Sequence, residues 1–266
     1  MKKILLPLLC FLISYNSFCQ SIYQDAYKEY MYGDLSKSIE LFSKSIKNNE
    51  EVTKAYMYRG AANIFMDNFV DAKKDLDVSY KMDSLNCNIY FYYGKLYMFI
   101  REYVTALKYY NEAIKKNIKY DAAYNERSAN KCMLGDYEGA IIDADFAINI
   151  NSSKEVYFTN RGYVKLKLNK YNEAIKDFDN SLKLQVNQKA YANRGLANSL
   201  LGFHLKAVDD YSKSLSINLN DKETYYLRGL SYEALKIKNK ACEDYYKSYG
   251  LKYYLAEECL KRLNCY

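Results

Sequence analysis

With 266 residues, half of them apolar, only ten glycines and one proline, the chain can build a sizeable core but lacks the turn punctuation of a β-sandwich or loop-rich fold of this size. Its 39 basic and 32 acidic residues are interspersed, leaving a formal charge of +7 with no basic block, which removes nucleic acid as an expected partner. Tyrosine is extreme at 32 and tryptophan absent; a large ring with a polar tip suits half-buried helical surfaces.

The first element is a targeting signal, residues 1–19. Lys2 and Lys3 precede an apolar run from Ile4 to Ile13, and Ser17 and Cys19 supply the small residues that signal peptidase needs, so cleavage is expected before Gln20. The run is too short for a permanent span, which takes about 20 apolar residues. Cys19 as a lipid-attachment cysteine is the weaker reading, because Phe18 is too bulky for a lipobox. Export to the periplasm or cell surface follows, with no integral membrane segment after cleavage.

Residues 20–255 repeat. Small residues recur at Ala26, Gly60, Gly94, Ser128, Gly162, Gly195 and Gly229, spaced by 34 with one step of 33. Twelve residues after each stands Ser38, Ala72, Ala106, Ala140, Ala174, Ala207 or Ala241, and seven later Ser45, Ser79, Ala113, Ala147, Ser181, Ser214 or Ser248. Large residues hold fixed slots: Ile22, Tyr56, Tyr90, Tyr124, Phe158, Tyr191 and Tyr225 four before the first small series, and Phe42, Leu76, Tyr110, Ala144, Phe178, Tyr211 and Tyr245 four after the second. Each unit reads as two helices of about 14 residues, each about 21 Å long. The small slots let facing axes approach, and the large slots fill the space beside them. Gly135 and Gly202 mark the turns between the helices. After the seventh unit, Tyr254 to Leu263 reads as an amphipathic helix covering the last exposed core face, with 256–266 taken as the capping helix and tail.

This pattern resembles the tetratricopeptide repeat from residue 19 to about 255. The resemblance implies an all-α, right-handed superhelical solenoid of about seven helix-turn-helix repeats, with a concave face lined by the first helices. Tyr stands where the family often has Trp, and Asn49, Ser84, Ile118, Ser152 and Leu219 lie where it often has Pro.

Catalysis has little to build on. The one histidine, His204, sits where other units carry Phe69, Tyr103, Tyr137 and Tyr171, so its expected role is structural. No phosphate-cradling glycine loop, metal-ligand spacing or acid–base–nucleophile set is present, and Asp209-Asp210 and Glu257-Glu258 point apart on their helices. No cofactor or metal and no enzyme activity are expected. After signal cleavage five cysteines remain: Cys87, Cys132, Cys242, Cys259 and Cys265. Cys87 and Cys132 lie at opposite ends of helices running the same way and are expected to stay unpaired. Cys242 starts the last second helix and Cys265 ends an antiparallel cap, so these two are expected to form a disulfide. An Ala-Cys-x-Asp start with a terminal Cys is familiar from secreted bacterial proteins of this repeat type.

Arg59, Arg127, Arg161, Arg194 and Arg228 each precede the first small residue, and sixteen residues later stand Asp75, Asp143, Asp177, Asp210 and Asp244. The two units without the Arg, at Asp25 and Tyr93, also lack the Asp, having Leu41 and Tyr109. Joint presence and joint loss predict an ion pair within each of five repeats.

The resemblance places partner contacts on the first helices. In the first three units these slots hold Tyr23, Tyr27, Tyr30, Met57, Tyr58, Ile64, Phe91, Tyr92, Met98 and Phe99. The later units are more polar, with Asn125, Glu126, Thr159, Asn160, Tyr163, Asn193 and Tyr226. The Lys/Asn clamp with which some members hold acidic chaperone tails is missing, since Tyr23 and Tyr27 occupy its first positions. The expected function is a non-catalytic scaffold in the bacterial cell envelope that holds an unidentified protein or peptide. The alternatives are a cell-wall or carbohydrate binder using exposed tyrosines, or a structural subunit of an envelope or secretion complex.

Overall fold

The computed structural model describes residues 21–265, so the expected signal, residues 1–19, lies outside them. The described residues form fifteen α-helices and no strand, and the chain divides between Lys116 and Asn117 into two units. Unit 1 holds three helix pairs: α1 (Ile22–Tyr32) with α2 (Leu35–Lys47), α3 (Val52–Phe65) with α4 (Phe69–Met82), and α5 (Cys87–Phe99) with α6 (Tyr103–Lys116). Unit 2 holds four: α7 (Asp121–Met133) with α8 (Tyr137–Ile150), α9 (Glu155–Lys167) with α10 (Tyr171–Leu184), α11 (Gln188–Leu200) with α12 (His204–Ile217), and α13 (Lys222–Ala234) with α14 (Lys238–Gly250). It ends in α15 (Leu255–Leu263). The sequence treats residues 20–255 as one array. A division at a junction is compatible with repeats because each repeat packs only on its neighbours.

Local chemistry sets the helix ends. The side chains of Asp34, Asn86, Asp136, Asn187 and Asp221 accept hydrogen bonds from the otherwise unpaired amides of the turns they cap. Gly135 and Gly202 take positive φ, 82° and 81°, just past α7 and α11. The same register elsewhere holds Asp67, Arg101, Asn169 and Lys236, also left-handed, so the turn is imposed by the fold even where no glycine eases it.

The repeating slots form the core of both units. Phe42, Leu76, Tyr110, Ala144, Phe178, Tyr211 and Tyr245 are all fully buried. Leu76, Tyr110, Phe178, Tyr211 and Tyr245 face the glycine of the partner helix. A Cβ added at Gly94 would lie 2.5 Å from the Tyr110 ring, and one at Gly162 2.7 Å from Phe178. The sizes compensate: where the large slot shrinks to Ala144, the small slot grows to Ser128, whose hydroxyl donates to the Ala140 carbonyl at 2.6 Å. The third small series closes the seam between helices, with the Ser79 hydroxyl donating to the Thr53 carbonyl at 2.9 Å and that of Ser248 to Lys222 at 2.8 Å. The cap α15 lays Ala256, Cys259 and Leu260 on Ala241 and Tyr245 of α14.

Candidate functional site

Five arginines fork onto five aspartates. In Arg59–Asp75, Arg127–Asp143, Arg161–Asp177, Arg194–Asp210 and Arg228–Asp244, Nε donates to Oδ2 at 2.8–3.0 Å and Nη2 to Oδ1 at 2.5–2.7 Å. Each pair bridges the two helices of one repeat, and the aspartate side chains are only 2–8 % exposed. The guanidinium of each also lies over the ring three residues before it: Tyr56, Tyr124, Phe158, Tyr191 and Tyr225, at 5.2–5.7 Å. The first large slot therefore serves as an arginine platform as well as packing.

A second arm of the same arginines is not visible in the pair pattern. Nη1 reaches back to the preceding repeat, from Arg59 to Ser43 (2.9 Å), Arg161 to Asp145 (2.7 Å), Arg194 to Asp179 (2.5 Å) and Arg228 to Ser212 (2.9 Å). Each of these four arginines thus fixes the fold of its own repeat and its register against the one before. In the third repeat Tyr93 replaces the arginine, and its hydroxyl donates to Asp77 at 2.5 Å in the same backward direction. Tyr109, in place of the aspartate, stacks on Tyr93 and on Tyr97 at centroid distances of 4.8 and 5.3 Å. The repeat exchanges an ion pair for a ring stack.

On the first helices of unit 1, rings touch in series. Tyr27 meets Tyr58 at 4.9 Å, Tyr58 meets Tyr30 at 5.5 Å and Tyr92 at 5.9 Å, and Phe65 meets Phe99 at 5.8 Å. The predicted contact residues fall into two sets. Tyr23, Met57, Ile64, Phe91 and Tyr92 are buried, and this corrects their expected role as direct contacts. Tyr23 is covered by Tyr27, Phe42 and Tyr58, and Phe91 by Tyr92 and Tyr110, because large rings at neighbouring slots close over one another. Tyr27, Tyr30, Tyr58 and Met98 are half-buried, and Phe99 is exposed, together with Phe65, which the sequence reading left out.

Burial governs how these tyrosines ionise. It pushes the Tyr23 phenol up to about 12, helped by Glu51 and Tyr27, and it also raises Tyr30 and Tyr58. An unperturbed phenol titrates near pH 10. The folded state therefore holds protons that the unfolded chain has released, and stability present below pH 10 is lost as pH rises toward 12. Tyrosinate absorbance near 295 nm (a generic reporter) should show a late-titrating class whose appearance coincides with loss of helicity. A single midpoint near 10 with helicity retained is the contrary outcome.

The polar first-helix residues of unit 2 are partly committed to structure. Asn125 and Thr159 are buried; Asn125 accepts from Asn160 at 2.9 Å, and Thr159 bonds Ser181 at 2.7 Å. Tyr226 packs against Tyr245 and Tyr253. Tyr163 and Asn193 are half-buried and border a cavity of about 430 Å³. His204 begins α12 with Nδ1 3.5 Å from the Ser199 hydroxyl. The sulfurs of Cys242 and Cys265 are at bonding distance with Cα atoms 5.6 Å apart, whereas Cys87, Cys132 and Cys259 are unpaired. Among the described residues no helix is long and apolar enough to cross a membrane.

The tetratricopeptide repeat family profile matches residues 156–185. Over 255 residues the chain is 22% identical to a TPR repeat-containing protein of Methanocaldococcus jannaschii, covering 86% of this chain and 43% of the relative. Over 89 residues it is 33% identical to serine/threonine-protein phosphatase 5 of Rattus norvegicus, covering 33% of this chain and 18% of that enzyme. The chain thus spans less than half the length of these curated relatives. Among solved structures, the APC/C hetero-tetramer Cut9-Hcn1 matches with a TM-score of 0.81 at 19% identity, covering 90% of this chain and 48% of that one. A tetratricopeptide repeat protein from Parabacteroides merdae gives 0.66 at 19% identity, covering 91% and 97%. YrrB, described as a TPR protein with an unusual peptide-binding site, gives 0.55 at 17% identity, covering 70% and 97%. The fold is that of a tetratricopeptide repeat solenoid.

Proposed function

We propose that this tetratricopeptide repeat protein is a non-catalytic scaffold of the bacterial cell envelope that docks an apolar or aromatic peptide segment on the first helices of unit 1. The observation that carries the reading is the ring series there: Tyr27, Tyr30, Tyr58, Phe65 and Phe99 touch in sequence along one face, and Phe65 and Phe99 are 41% and 44% exposed. Rigid rings bury much area on binding at low entropy cost, and such side chains dominate interface energetics. The buried Tyr23 and Tyr92 pack against Tyr27 and Tyr58 and hold them in place. Export rests on the basic-apolar-small pattern of residues 1–19. The peptide-binding title of YrrB supports the scaffold reading by likeness of fold alone. Selection of a phage-displayed peptide library on the protein is expected to enrich segments rich in Leu, Phe, Tyr and Trp. Replacing Phe65 and Phe99 together by Ser should weaken the selected peptides at least about tenfold while leaving helicity unchanged. Equal binding by the double variant would place the ligand elsewhere.

A further inference from the structure

We infer that the groove between α4 and α5 of unit 1 is a binding site for a small aromatic carboxylic acid. The sequence breaks its own repeat there. One position of the second helices holds Ile39, Leu107, Ile141, Ile175, Val208 and Cys242, and only in the second repeat is it charged, as Lys73. The helix pair that follows Lys73 departs as well. Where the second repeat has Arg59, Asn63 and Asp75, and the sixth Arg194, Asn198 and Asp210, the third has Tyr93, Tyr97 and Tyr109. In the second and sixth repeats the arginine reaches back to Ser43 or Asp179 and puts a guanidinium across the equivalent groove. In the third the cation comes instead from the preceding helix, and the Lys73 ammonium lies within electrostatic reach of the Tyr97 and Tyr109 phenols. Positions that break a local rule the rest of the chain keeps are where a functional site is to be sought.

The groove has a volume of about 350 Å³. That lies in the range of ligand sites, about 300–1,000 Å³, and exceeds the about 150 Å³ of a cavity that takes benzene, so a body of one or two rings fits. Phe69, Val70, Leu96, Tyr97 and Ile100 supply its apolar lining, and Val70 is 71% exposed. Tyr97 ends a stack, its ring on Tyr109 at 5.3 Å and that of Tyr109 on Tyr93 at 4.8 Å. The charges of the lining select the polar end of the ligand. Asp77 is already committed: Oδ1 accepts from the Tyr93 hydroxyl at 2.5 Å and Oδ2 from Lys73 Nζ at 2.8 Å. Lys73 spends one of its three donors on that bond, and Lys74 spends one on Asp71 at 3.1 Å. Two ammonium groups thus line the groove against one occupied carboxylate, which complements an anion. Both lysine pairs are exposed and hold weakly, so Lys73 can turn to a ligand carboxylate without disturbing the fold. A bare anion would meet only screened surface charge, and a neutral ring would leave the ammonium unused. A molecule carrying both ring and carboxylate uses the whole lining. Neither Phe65 nor Phe99 lines the groove, so this site and the aromatic face of the first helices can each hold or fail without the other.

The test titrates the full-length protein with naphthoate, its neutral amide and acetate, followed by calorimetry or by naphthoate fluorescence. Naphthoate is expected to bind at least about tenfold more tightly than the amide, a factor within the worth of one charge-assisted hydrogen bond, and acetate should not compete at matched concentration. Lys73→Gln should remove the preference for the acid over the amide, and Lys73→Arg, which keeps the charge, should retain it. Val70→Glu, which sets a like charge in the apolar wall, should abolish binding of naphthoate. Phe65→Ser, on the first-helix face, and Lys206→Gln, in the equivalent groove of unit 2, should both bind as wild type. Lys73 and Val70 are exposed, so circular dichroism and melting should show intact variants. Equal binding of acid and amide, no binding of naphthoate, Lys73→Gln or Val70→Glu behaving as wild type, or loss of binding in Phe65→Ser or Lys206→Gln would overturn the inference.

Discussion

Asp177→Ala is expected to destabilise the fifth repeat by about 3–5 kcal/mol, the cost of leaving a largely buried charge without its partner. The carboxylate accepts from Arg161 Nε at 2.9 Å and Nη2 at 2.5 Å, and from Lys165 at 2.8 Å, with its side chain 3% exposed. Its removal leaves two cations facing an apolar seam beside Phe178. Arg161 keeps the Phe158 ring and, as its ion partner, Asp145, whose side chain is 48% exposed and whose hold is screened by water. Asp145→Ala should therefore cost no more than about 1 kcal/mol. Replacing all three charges together, as Arg161→Met and Lys165→Met with Asp177→Leu, should recover much of the loss, because the stranded charges are the penalty and apolar side chains of similar volume avoid it. Urea unfolding followed by circular dichroism gives the totals, and amide exchange in α9 and α10 localises them. An Asp177→Ala loss below about 1 kcal/mol would mean that the pair is screened as a surface bridge is.

The contrast between the two arms of Arg161 shows what a single sequence could and could not disclose. The inner arm was legible because its members appear and vanish together at a fixed separation of sixteen. The outer arm uses Ser43, Asp77, Asp145, Asp179 and Ser212 by turns, so residue identity fluctuates although the hydrogen-bond role persists. The helix pairs, their small and large slots and the cap were legible for the same reason as the inner arm: seven registers repeat one packing problem. Burial depth on the first helices was not. Periodicity assigns a face to Tyr23 and Phe91, but whether a ring floors that face or rises from it depends on the size of the ring in the adjacent repeat. With Tyr58 and Phe42 beside it, Tyr23 is covered. The unit 2 cavity draws on three repeats at once, so no single window of sequence announces it.

Loss of the Cys242–Cys265 link is expected to cost the C-terminal end of unit 2 about 3 kcal/mol, from the loop entropy released when a crosslink spanning about two dozen residues is opened. The cap α15 has only nine residues, too few to persist as an isolated helix in water. Three kinds of contact hold it: the apolar strip of Ala256, Cys259 and Leu260 against Tyr245, the Arg262–Glu233 bridge at 2.9 Å, and the Tyr246 hydroxyl donating to the Cys265 carbonyl at 2.6 Å. Arg262 is 55% exposed, so its bridge adds little. Without the crosslink the cap must rely on its apolar strip, and opening it uncovers the core face that ends the solenoid. Cys242→Ser, or reductant on the wild type, should thus raise amide exchange first in α15 and then in α14 while leaving α7 to α10 unchanged. Non-reducing peptide mapping of the protein produced under oxidising conditions should recover Cys242 joined to Cys265. Cys259, buried against Tyr245, should react with thiol reagents only once the cap has opened. A map in which Cys242 and Cys265 are both labelled in unreduced protein would show that the link does not form, and the cap would then have to hold by packing alone.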